Sequence, residues 1–259
     1  MRFWLRVLWR AESVVLMDRS ITDSVVRSYE LMRSHFGFLN WWPGDGPLEI
    51  CLGAILTQNT SWKNVEKALA NLRSVASLED ASQLLGLPHD QFESLLVPSG
   101  YFRVKSKRVR SFLEIVVNEF GGSIGAMLSG EVADVRRRLL NINGIGPETA
   151  DSMMLYAGGH HIFVVDAYTR RIFSRHGWCQ SDISYDDLQQ LCHQSLTETR
   201  AATRDIGIFQ DFHAQIVMTG KDFCRPRQPD CINCPLHCIL PENGPVLDKR
   251  KANRNENRE

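Results

Sequence analysis

The chain has 259 residues, 43% hydrophobic and 23% charged, with 30 Lys and Arg balancing 30 Asp and Glu. That length and composition can bury a substantial core in more than one lobe, and a formal net charge of zero argues against a uniformly electropositive nucleic-acid binder. No stretch approaches the ~20 uninterrupted apolar residues of a membrane span, and the apolar opening is broken by Arg2, Arg6 and Arg10, unlike a signal peptide, so a cytoplasmic location is expected.

Residues 1–16 read as an extension or a misassigned start. A helix is expected over 22–35, followed by Leu39-Asn40-Trp41-Trp42-Pro43, a loop with paired tryptophans. Tryptophan is usually packed in a core, so Trp41 and Trp42 are core residues or the walls of a pocket. Helices over 48–57 and 63–75 flank Thr57-Gln58-Asn59-Thr60-Ser61-Trp62, where Trp62 carries the same two readings. A helix over 105–120 follows, with Arg103, Lys105, Lys107, Arg108 and Arg110 crowded at its start. Arg136, Arg137 and Arg138 form a second basic run. Each run is either a solvated helix face or a set of phosphate contacts.

The densest signal begins at Val132, Val135, Leu139 and Ile142, which recur at helical spacing over an expected helix 132–140. Asn143-Gly144-Ile145-Gly146-Pro147 then turns the chain into a helix over 148–157, where Ala150, Met153, Met154 and Ala157 keep the period. Gly144 and Gly146 tolerate positive φ, and Pro147 suits a first helical turn. Backbone N–H groups in the turn and at the following helix N-terminus make such a hairpin an anion site; its alternative is an ordinary helix-to-helix turn. After an extended connector at 162–165, Asp166 opens a helix over 168–176. Aspartate is a favoured N-cap, and that role is compatible with catalysis by the same carboxylate. A helix over 185–195 comes next.

Cys224, Cys231, Cys234 and Cys238 form a C-x6-C-x2-C-x3-C run, apart from the scattered Cys51, Cys179 and Cys192. Four close thiols without a secretion signal suggest a metal site rather than disulfides, and four thiolates hold a [4Fe-4S] cluster or a tetrahedral zinc. The polar stretch that closes the chain, 241–259, reads as a disordered tail. No strand-turn-strand alternation is evident, so the fold class expected is all-α.

These motifs together resemble the helix-hairpin-helix DNA glycosylases of the endonuclease III superfamily, over about 20–240. Asn143 stands where that family usually has proline. The resemblance implies two helical lobes: 17–46 with 159–240, carrying the cysteine loop, and 47–158, carrying the hairpin. DNA would lie in the cleft between them, with Gly144, Ile145, Gly146, Thr149 and Gln58 on the DNA, Gln58 filling the gap left by a flipped nucleotide. Asp166 is implied as the catalytic carboxylate, stabilising an oxocarbenium-like transition state and activating water. Family members that also cut the backbone carry lysine where this chain has Glu148, and a carboxylate forms no Schiff base. Removal of a base without strand cleavage is therefore expected.

The Trp-Trp-Pro segment is similar to the branch that excises 3-methyladenine, which implies a pocket built from Trp41, Trp42 and Trp62, with Glu148 at its edge. Electron-rich indoles attract a cationic alkylated purine by roughly 1–2 kcal/mol and replace the stacking that it loses on leaving the duplex. Relatives bind a [4Fe-4S] cluster through C-x6-C-x2-C-x5-C. The interval before Cys238 is two residues shorter, leaving a tightened loop with the cluster kept, zinc with His237 as a ligand, or an empty site. The expected partner is double-stranded DNA containing a damaged base, met by a monomer at the nucleoid. Rival readings are a glycosylase for oxidised or mismatched bases, a damage-binding module without catalysis, and an iron-sulfur redox sensor.

Overall fold

The structure is a computed structural model that describes residues 19–39, 41–42, 44–197 and 205–247. The expected extension at 1–16 lies outside the described residues, as do Asn40, Pro43 and the tail from 248. Among the described residues the regular structure is helical: α1 (Arg19–Phe36), α2 (Pro47–Leu56), α3 (Trp62–Arg73), α4 (Ala81–Gly86), α5 (His89–Leu96), α6 (Phe102–Phe120), α7 (Ile124–Met127), α8 (Val132–Leu140), α9 (Pro147–Ser152), α10 (Ala167–Arg175), α11 (Tyr185–Thr197) and α12 (Ile206–Asp222). No described helix is long and apolar enough to cross a membrane.

The amphipathic helices follow from their spacing. α1 buries Val25, Tyr29 and Met32, α3 buries Val65, Ala68, Leu69 and Leu72, and α8 buries Val135 and Leu139, each a stripe along one face. Helices α2 to α9 pack about α2 and α6, while α1, α10, α11 and α12 form a second group, and α12 also touches the segment that follows α9. A continuous hydrophobic cluster runs through both groups.

Two departures from the sequence expectation shape the site. The helix expected over 148–157 changes hydrogen-bonding register: after α9 the chain winds as a π-helix over Met153–Ala157. Such widened turns often occur at functional sites, and here the segment carries Tyr156. The second departure is α12, which has no counterpart among the expected helices. It buries polar Asp211, His213, Gln215 and Thr219 beside Phe209, Phe212 and Ile216, so no solvated face betrays it. The stretch 162–165 is neither helix nor strand, with Ile162, Phe163, Val164 and Val165 all buried. Residues 241–247, assigned to a loose tail, are held down at least at Val246, whose N–H donates to the Arg175 carbonyl at 2.8 Å.

Candidate active site

The hairpin joins α8 to α9. Gly144 takes φ +87°, a conformation costly for any residue with a Cβ, and an added methyl there would run into the Arg108 side chain. Gly146 departs from the expectation: it is the extended N-cap of α9, at φ −95°. Pro147 occupies the first turn of α9, where N–H groups have no acceptor within the helix. Two residues expected on DNA make contacts within the protein. Ile145 is buried and its N–H closes the turn on the Ile142 carbonyl at 3.1 Å. The Thr149 hydroxyl accepts from Gln58 Nε2 at 2.9 Å.

Gln58 is neither a solvated helix-end residue nor a free wedge. Its Nε2 also donates to the Gly144 carbonyl at 3.1 Å, and Arg108 donates to its Oε1. The basic runs are largely engaged inside the molecule. Lys105 donates to the carbonyls of Leu56 at 2.8 Å and Ser99 at 2.6 Å. Arg110 holds the Leu87 carbonyl, Arg136 pairs with buried Asp151 at 2.8 Å, and Arg138 reaches the Met127 carbonyl. Arg103, Lys107 and Arg137 remain exposed.

Asp166 caps α10 as its sequence position suggests. Its Oδ1 accepts from the Thr169 N–H at 2.7 Å and from the Thr169 hydroxyl at 2.9 Å. The side chain is only 10% exposed, and Oδ2 lies 3.7 Å from His213 Nε2. Burial works to raise this carboxyl, but His213 and the Thr169 donors outweigh it and hold the group below its ordinary range. On the far side of the imidazole, Nδ1 meets the Tyr156 hydroxyl at 2.6 Å. Neither Tyr156 nor His213 was expected from the sequence; the available signal was polar residues inside an otherwise apolar segment.

Tyr156 connects this chain of groups to the tryptophans. Its ring lies 5.0 Å from Trp42, and Trp42 meets Trp62 edge-on at 5.3 Å. Gly53 on α2 makes room for both indoles: a Cβ there would come within 3.1 Å of Trp62 and 3.4 Å of the Trp42 ring nitrogen. The three indoles are half-buried, and the ring N–H groups of Trp41, Trp42 and Trp62 have no hydrogen-bond partner. The loop bearing Trp41 and Trp42 is fixed to α12, because the Leu39 N–H donates to Asp211 at 2.8 Å and Gln215 donates to the Gly37 carbonyl at 2.6 Å.

Beside the N-terminus of α10 opens a cleft of about 1030 Å³, walled by Gln58, Glu148 and Thr149 and by Ala167, Tyr168, Lys221 and Arg225. Asp166, next to Ala167, lies behind this wall and does not line it. Glu148 is exposed to the cleft. The surrounding protein and the charge of Asp166 nevertheless push its carboxyl up to about 7, against an opposing effect of His213.

The cysteines divide unequally. Cys224, Cys231 and Cys234 line a small, partly open cavity together with Arg175, His176 and Leu236. Arg175 donates to Cys224 Sγ at 3.2 Å, a contact suited to a thiolate. Cys238 is exposed and is not among the lining residues of that cavity. Three thiols thus share one cavity and the expected fourth stands apart. Among the described residues, no three His, Cys, Asp or Glu side chains converge on a single ion, so no ligand set is preformed here for a cluster or for zinc with His237. Burial pushes the Cys234 thiol up to about 11, so loading must displace a proton.

The family model for HhH-GPD superfamily base excision DNA repair proteins matches residues 52–198. A candidate DNA repair glycosylase of Methanocaldococcus jannaschii is 38% identical over 221 residues, spanning 85% of this chain and 97% of its own. Endonuclease III of Thermotoga maritima is 25% identical over 74% of this chain and 82% of its own. Among solved structures, an endonuclease III–DNA complex superposes with a TM-score of 0.72 at 18% identity, covering 90% of this chain and 98% of that one. The H. pylori 3-methyladenine DNA glycosylase bound to 1,N6-ethenoadenine superposes with a TM-score of 0.65 at 25% identity, covering 78% and 96%. With more than half of its length matched by the family model and an archaeal relative covered almost end to end, the chain belongs to the HhH-GPD superfamily of base excision DNA repair proteins.

Proposed function

We propose that the protein is a DNA glycosylase that removes alkylated purines, 3-methyladenine foremost, and leaves the abasic strand intact. The supporting observation is the succession from Trp62 through Trp42, Tyr156 and His213 to Asp166, which links an aromatic cluster to a buried carboxyl held below its ordinary range. A flipped cationic purine stacks on the indoles and is drawn by their π faces. As the glycosidic bond lengthens, positive charge grows on the sugar, and the Asp166 carboxylate stabilises it and orients water. The alkylated base leaves readily because it already carries charge. Glu148, standing where strand-cleaving relatives have lysine, offers no amine for a Schiff base. The turn at Gly144 and the N-terminus of α9 hold a phosphate of the damaged strand, with Lys221 and Arg225 across the cleft.

We assign Cys224, Cys231 and Cys234 to a [4Fe-4S] cluster, with Arg175 stabilising the thiolate of Cys224. Such a cluster staples the loop from Cys224 to Cys238, which borders the cleft at Arg225.

The function is tested by incubating the protein with methylated duplex DNA and identifying the released base, with oxidised-pyrimidine duplexes in parallel and strand nicking assayed separately. Release of 3-methyladenine without nicking is expected, and Asp166→Asn should lose it by about 10³-fold while duplex binding persists. Release of only oxidised pyrimidines, or near-normal excision by the variant, would overturn the reading.

A further inference from the structure

Asp166 is held by different partners on its two oxygens. Oδ1 is saturated by the N–H and hydroxyl of Thr169, the ordinary capping arrangement. Oδ2 turns instead to His213, which comes from α12, far along the chain. The His213 ring is itself buried and fixed from behind by the Tyr156 hydroxyl at 2.6 Å, and that hydroxyl also reaches the Gln210 carbonyl at 3.3 Å.

The buried surroundings limit the protonation states open to this chain of groups. Burial and the charges of Asp166 and Asp211 raise Tyr156 well above its ordinary range, so its hydroxyl keeps its proton. When that hydroxyl donates to Nδ1, the neutral imidazole carries its proton on Nε2. When it donates to the Gln210 carbonyl, Nδ1–H can donate to it in turn, and the ring can also be an imidazolium. The Nε2–H tautomer and the imidazolium each present an N–H toward Asp166 Oδ2, the neutral Nδ1–H tautomer does not, and Nε2 makes no hydrogen bond in the structure, with Oδ2 3.7 Å away. A cap requires none of this, since Thr169 alone satisfies it.

We propose that His213, braced by Tyr156, is the positioning residue of the catalytic carboxylate, holding Asp166 ionised from its buried side. This inference rests on the glycosylase reading for its role and on the geometry for its physics. Without His213, burial alone acts on Asp166, and the carboxyl takes up a proton nearer neutrality. The other titratable groups set around the pair are Glu148 on α9, Tyr168 on α10, Cys192 on α11, and Asp211 on α12 itself. Glu148, Tyr168, Cys192 and Asp211 are acids, and none supplies a cation in place of His213.

The test compares wild type, His213→Gln and Tyr156→Phe in two measurements. The first is single-turnover excision from methylated DNA across pH 5 to 9 (roughly the range over which shifted carboxyls titrate). His213→Gln should move the acid limb of the rate profile upward, costing about tenfold at low pH for each unit of displacement and recovering as pH rises; Tyr156→Phe should move it less, in the same direction. The second is titration of the Asp166 carboxyl by ¹³C NMR, assigned with Asp166→Asn, which reads the same displacement without any turnover. If the wild type released no base, the glycosylase reading would fail and the NMR titration would still decide the role of His213. An unmoved titration in a folded variant, or a rate loss equal at every pH, overturns the proposal. Should His213→Gln fail to fold, the milder Tyr156→Phe carries the same comparison.

Discussion

Glu148, at the cleft, and Asp166, behind its wall, are close enough for their charges to interact yet are tuned in opposite directions. The Asp166 carboxyl is lowered because His213 and Thr169 outweigh its burial, whereas burial and the nearby Asp166 charge raise Glu148 from 4.5 to about 7. Two acids pushed apart by their surroundings are a familiar division of labour in active sites. For Glu148 the folded state binds more protons than the unfolded state between about 4.5 and 7, so its contribution to stability declines as pH rises through that window. Glu148→Gln removes that decline. Denaturant unfolding at both ends of the window should show a smaller pH dependence in the variant than in wild type, by a modest margin because the side chain reaches solvent. Asp166 was legible in the sequence because a cap announces itself beside its own helix. His213 was not, because its partners Tyr156 and Asp166 belong to other elements and meet it only after folding.

At the scale of elements, the same contrast separates what could be read from what could not. Helices with one apolar stripe, such as α1, α3 and α8, follow from spacing alone. α12 does not, because buried Asp211, His213 and Gln215 interrupt the apolar pattern that would mark a core helix. Two of them, Asp211 and Gln215, fasten the tryptophan loop, through the Leu39 N–H and the Gly37 carbonyl. Lys105 is another reading altered by packing. It belongs to a basic run that suggested phosphate contacts, yet its ammonium is buried and closes two carbonyls at the end of α2 and beside α6. Burial, assisted by the charge of Arg108, lowers it to about 8. Below that pH the folded state still carries the cation, and between about 8 and 10.5 it holds fewer protons than the unfolded state, so stability should climb with pH across that interval. Lys105→Met should abolish the climb and destabilise the protein by about 1–3 kcal/mol, because the Leu56 and Ser99 carbonyls lose their donor. Urea unfolding at several pH values checks both effects.

For the molecule as a whole, the two helix groups meet where α12 touches the Tyr156 segment, and the cysteine loop closes the opposite wall of the cleft. Three thiols lining one cavity and a fourth outside it lead to unequal variants. Iron and acid-labile sulfide analysis should find Cys231→Ser largely depleted and Cys238→Ser largely loaded. Equal loss in both would assign Cys238 a ligand role that its exposed position does not suggest. A wider consequence follows from the arginines and lysines that hold internal carbonyls and carboxylates. Lys105, Arg108, Arg110, Arg136 and Arg138 are so engaged that their two runs offer an ordinary duplex little charge, and the chain as a whole has no net charge. Visits to undamaged DNA would then be brief, and a lesion would be kept by the fit of its base rather than by the pull of the backbone.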